Sequence, residues 1–89
     1  MRSIRSDLPS GPVLPLPQMR AGESGEVVDL RGGRGPVRRL TELGIIPGVT
    51  VKLVSDSGTF GPVIVRVGDS KFGIGRGMAR RVLVRPSMK

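Results

Sequence analysis

Val49-Thr50-Val51-Lys52-Leu53 and, further on, Pro62-Val63-Ile64-Val65-Arg66-Val67 decide what kind of fold this chain adopts. Both runs alternate with a period of two, which places Val49, Val51 and Leu53 on one face of a strand and Val63, Val65 and Val67 on one face of another. β-Branched residues dominate those faces, as a half-buried pleated surface favours. The same rhythm extends in both directions. Upstream, Glu26-Val27-Val28-Asp29-Leu30 forms a first strand ended by Gly32-Gly33. Downstream, Lys71-Phe72-Gly73-Ile74 and Arg81-Val82-Leu83-Val84-Arg85 complete five strand candidates. Five short strands joined by glycine-rich turns predict a small barrel, or a strongly bent sheet closing on itself, which also protects the edges of so short a sheet.

One segment departs from this period. In Pro36-Val37-Arg38-Arg39-Leu40-Thr41-Glu42-Leu43-Gly44, the apolar residues Val37, Leu40 and Leu43 recur every third residue, as one helical face requires. Pro36 suits a first helical turn, where a missing N–H costs nothing. Gly44 suits a left-handed helix end, and Pro47 prevents the helix from resuming. The expectation is an all-β domain with one short helix between its first and second strands. A further short turn is predicted from Arg76 to Ala79, before the last strand.

The 89 residues make one domain with a thin core. Residues 1–17, rich in Pro, Ser and Gly, read as a flexible tail, and residues 18–89 as the barrel. No apolar run is long enough to span a bilayer, and the prolines after Arg2 and Arg5 interrupt any signal-peptide core. The absence of cysteine fits a reducing cytoplasm. The formal charge of +8 arises from 15 basic and 7 acidic residues, twelve of the former arginine. Such a surface attracts nucleic acid, anionic lipid or an acidic protein face.

Catalysis is not expected. Without histidine and cysteine, the common general bases, nucleophile pairs and nitrogen or sulfur metal ligands are missing. The acids Asp7, Glu23, Glu26, Asp29, Glu42, Asp56 and Asp69 show no spacing that would collect oxygen ligands around a metal. Gly73-Ile74-Gly75-Arg76-Gly77 lacks the phosphate-loop spacing and reads as backbone turning. A basic small barrel could bind nucleic acid, but single-strand binders stack bases on aromatics. This chain has only Phe60 and Phe72, and Phe72 falls at a core position.

The stretch Arg38-Arg39-Leu40-Thr41-Glu42-Leu43-Gly44-Ile45-Ile46-Pro47-Gly48 closely resembles the central motif of the FeoA family, ferrous iron transport protein A. Three flanking blocks agree: Gly22-Glu23-Ser24-Gly25-Glu26-Val27, Gly61-Pro62-Val63-Ile64-Val65, and Ile74-Gly75-Arg76-Gly77-Met78-Ala79-Arg80-Arg81-Val82-Leu83-Val84. The resemblance spans about residues 14–86. It implies an SH3-like β-barrel, and the residues themselves suggest neither catalysis nor a cofactor nor direct iron binding. It also implies an accessory role beside FeoB, a membrane Fe(II) transporter with a cytoplasmic GTP-binding domain. The protein is then expected in the cytoplasm at the inner face of the membrane, whose anionic leaflet would attract its charge. Arg38, Arg39, Glu42, Arg76, Arg80 and Arg81 are the expected partner-binding residues, because they cluster in two motif segments that a barrel could bring together. A basic barrel that binds nucleic acid is the alternative.

Overall fold

A computed structural model describes residues 11–87 of the chain. In order they form β1 (Leu14–Pro15), a 3-10 turn (Leu16–Gln18), β2 (Ser24–Leu30), α1 (Arg34–Glu42), β3 (Thr50–Asp56), β4 (Val63–Val67), β5 (Ser70–Ile74), α2 (Arg76–Ala79) and β6 (Val82–Pro86). All strand pairs are antiparallel, in one sheet of order β1-β6-β2-β3-β4-β5. The five strands expected from alternation are present, and a sixth, two-residue strand is added at one edge.

The alternation delivers the core. Val51 and Leu53 of β3, Val63 and Val65 of β4, Val82 and Val84 of β6 and Val27 of β2 are fully buried. They merge into a single apolar cluster with Leu16, Met19, Leu40, Ile45, Ile74 and Ala79, so the sheet wraps one interior. No polar side chain among the described residues is buried in it. Register shifts between Val27 and Asp29 in β2 and between Leu53 and Ser55 in β3 mark bulges. Bulges of this kind raise local twist and let a short sheet curl.

The segment expected to be a tail divides. Residues 1–10 lie outside the described residues, whereas Leu14 and Pro15 pair with Val84 and Leu83 of β6. Leu16 then turns inward and is fully buried. Pro15 is tolerated because β1 is an edge strand, where a missing N–H removes no ladder bond on the open side.

Helix α1 ends in a Schellman motif. The Ile45 N–H donates to the Leu40 carbonyl at 3.0 Å and the Gly44 N–H to that of Thr41 at 2.9 Å, with Gly44 at φ +89°. The reversal carries Ile45 back beneath the helix. Leu40 and Ile45 therefore seat α1 in the core, whereas Leu43, of the expected face Val37, Leu40 and Leu43, is left 37% exposed. A turn follows at Ile46-Pro47-Gly48-Val49, closed by the Val49 N–H on the Ile46 carbonyl at 3.1 Å with Gly48 at φ +97°. That positive φ at the third position, after proline at the second, is type II geometry.

Candidate functional site: a groove between the helix and the fifth strand

The exposed face of α1 carries the motif's charged residues. Arg38 donates from Nε to Glu42 Oε2 at 3.3 Å, one helical turn on, with both side chains mostly in solvent. Such a pair contributes only about 0.3–0.5 kcal/mol, so it orders the surface of the helix more than it holds the fold. Arg39 points elsewhere. With Leu43 it forms one wall of a groove of about 360 Å³, whose other wall is Gly73, Ile74, Gly75 and Met78.

The groove follows from local sequence. Leu43 caps α1 at φ −84°, just before the chain reverses at Gly44, and so stays outside the core that Ile45 enters. Opposite, β5 is an edge strand bonded only to β4, and its last residues carry little side-chain bulk at Gly73 and Gly75. The cleft has an apolar lining from Leu43, Ile74 and Met78 and a guanidinium at its rim. Such a site suits an apolar side chain followed or preceded by a carboxylate.

The two motif segments thus meet, though not through every arginine expected to act there. Arg39 reaches the β5–α2 segment. Arg76 turns away from the groove toward the β3–β4 loop, where its guanidinium binds the Asp56 carboxylate and the Gly58 carbonyl. Its side chain is only 17% exposed, and its Nε is buried with no hydrogen-bond partner among the described residues. Arg76 therefore braces the fold. The guanidinium's hydrogen bonds hold the Asp56 carboxyl below its ordinary range, helped by the Gly58 N–H that donates to Oδ1 at 2.9 Å. Arg80 is exposed at the end of α2. Arg81 is exposed but lies over Gly32, where a Cβ would collide with its guanidinium, and its carbonyl accepts from the Arg31 N–H at 2.8 Å. That contact ties the loop before α1 to the start of β6.

Sequence reasoning missed the groove's apolar lining. Leu43 and Ile74 read as core from their periods, and Met78 fell in a short turn without a pattern. Among the described residues no three of His, Cys, Asp and Glu come together, and no helix is long and apolar enough to cross a membrane.

Comparison with known proteins places this architecture. The family model of the FeoA domain matches residues 14–86. A curated Fe(2+) transport protein A of Methanocaldococcus jannaschii is 34% identical over 70 residues, covering 79% of this chain and 83% of that protein. A crystal structure of an iron uptake regulatory protein, FeoA, superimposes with a TM-score of 0.79 at 39% identity, covering 84% of this chain and 99% of the other. The zinc complex of FeoA from Stenotrophomonas maltophilia, described as a prokaryotic SH3 domain protein, matches with a TM-score of 0.63 at 33% identity. It covers 78% of this chain and 86% of that one.

Proposed function

This chain belongs to the FeoA domain family of ferrous iron transport, with its SH3-like all-β fold, and we propose that it is a non-catalytic accessory protein that docks on the cytoplasmic, GTP-binding part of a FeoB-type membrane transporter. The observation that carries this reading is the groove between α1 and the β5–α2 segment, with its apolar lining and Arg39 at the rim. Arg38 and Glu42 extend the contact along the helix, and Arg80 and Arg81 extend it along the β5–α2–β6 connection. Arg76 supports the surface from behind through Asp56. The site recognises a partner and transforms nothing, and its place of work is the cytoplasmic face of the membrane.

Titration of the purified protein against the soluble GTP-binding domain, across a salt series and with generic RNA as control, tests this. Saturable binding is expected, weakened on the order of tenfold or more by joint reversal Arg38→Glu and Arg39→Glu. Both side chains are exposed on α1, so circular dichroism should be unchanged. Undiminished affinity in the reversed variant would remove the site. Binding to RNA alone, steeply salt-dependent, would favour the nucleic-acid alternative.

A further inference from the structure

The outer face of the β3–β4–β5 sheet carries a feature that the groove does not use. Lys52 lies directly opposite Arg66, and Arg66 directly opposite Lys71, so three cations form a transverse row across three adjacent strands. All three are exposed. Neighbours in such a row have Cβ atoms about 5 Å apart, and like charges there are destabilising. No acidic side chain among the described residues makes an ion pair with them, although Glu26 on β2 is the diagonal neighbour of Lys52. The ion pairs among the described residues are Asp29–Arg31, Arg38–Glu42 and Asp56–Arg76, and Asp69, in the turn between β4 and β5, pairs with none of the row. Three cations held in register, with no ion pair to any of them among the described residues, present a site for an extended anion.

The same hairpin carries a second unexplained group. Phe60, in the β3–β4 loop, is 98% exposed, while the chain's other aromatic, Phe72, packs against the core. The loop is braced at its base. Asp56 accepts from the Gly58 N–H, the Arg76 guanidinium grips both Asp56 and the Gly58 carbonyl, and the Ser57 N–H faces the Pro62 carbonyl at 3.4 Å. Phe60 is therefore held out in solvent by a fixed support. Between the tip and the cation row, Ile64 shares the outer face of β4 with Arg66 and lies over Gly73.

We propose that the outer face of the β3–β4–β5 hairpins, with Lys52, Arg66 and Lys71 on headgroup phosphates and Phe60 at the tip in the acyl boundary, binds an anionic phospholipid bilayer. Charge complementarity selects an anionic partner, and the order of groups along the hairpin selects a bilayer. A bilayer offers phosphates across a plane with an apolar layer beneath, which matches a basic row followed by an apolar tip. A nucleic acid would match the row but would find a single aromatic and no stacking platform. The inference rests on the reading of the protein as one that works at a membrane's cytoplasmic face. It concerns Lys52, Arg66, Lys71 and Phe60, none of which lines the groove.

Flotation with phosphatidylcholine vesicles, with and without phosphatidylglycerol, tests it on the full chain. Partition onto the anionic vesicles alone is expected, falling as salt rises. The joint change Lys52→Gln, Arg66→Gln and Lys71→Gln should lower the partition coefficient on the order of a hundredfold, and it removes repulsion, so the fold should persist. Phe60→Trp introduces the chain's single tryptophan, and its emission should shift to the blue on anionic vesicles and be quenched by brominated lipid. An unchanged partition in the triple variant, equal binding to neutral vesicles, or a tryptophan that stays in water would each overturn the proposal. So would stronger binding to generic RNA than to anionic vesicles at the same salt. The triple variant should still bind the GTP-binding domain in the absence of lipid. Its failure on vesicles and the failure of Arg38→Glu, Arg39→Glu on the domain are therefore separate results.

Discussion

Asp56 and Arg76 stand twenty residues apart and make the least exposed of the ion pairs among the described residues. The pair is a brace between the β3–β4 loop and α2, and its chemistry gives it a pH signature. Because Asp56 is held below its ordinary value, its contribution to stability is fully present above the unfolded carboxylate value of about 3.9. That contribution is lost as pH falls through the lower folded value. Asp56→Asn should therefore lower the urea midpoint at neutral pH, and the gap from the wild type should close in acid. A gap of constant size from neutral to strongly acidic pH would refute this. Nothing in the sequence foretells the pairing. Arg76 sits in a motif rich in exposed arginines, and only the folded chain brings it beside Asp56.

At the scale of elements, the period of two and the helix stop are legible because both are local, although β3 begins at Thr50 and leaves Val49 half-buried outside it. Val51, Leu53, Val63 and Val65 are buried where alternation puts them, and Gly44 takes the left-handed turn that ends α1. Gly44→Ala should accordingly cost about 1–2 kcal/mol, the penalty of a Cβ at positive φ, and guanidinium melts should show it without loss of cooperativity. A null result would mean that the Schellman turn rearranges at no cost. What local pattern could not give was register. The opposition of Lys52, Arg66 and Lys71 depends on turn lengths and on the bulge after Leu53, which the sequence does not mark. Leu43 was misjudged for a related reason: three-residue spacing counts it as core, but the chain reverses right after it and sends Ile45 inward instead. The groove, made by residues that each look structural, could not be read before the fold was known.

The whole molecule has little apolar volume in reserve, so each buried contact is a sizeable share of its stability. Leu16 illustrates this. It comes from a stretch whose prolines resemble a tail, yet it is fully buried, and the turn it opens packs on β3, β6 and α2. Leu16→Ala should cost about 2–5 kcal/mol against a typical total of about 5–15 kcal/mol for a small domain. A melting temperature within a degree or two of the wild type would show that the turn is dispensable. The sheet order has a consequence for biosynthesis as well. β6, the last strand, lies between the first two, and its longest ladder is with β2. Until β6 has left the ribosome, β1 has no partner and β2 keeps one edge open, so a nascent chain can form the β3–β4–β5 meander but not the closed domain. The long loop that β6 must close is also the slow step by the logic of contact order. The emergence of β6, rather than that of any earlier segment, therefore sets the moment at which this domain can close.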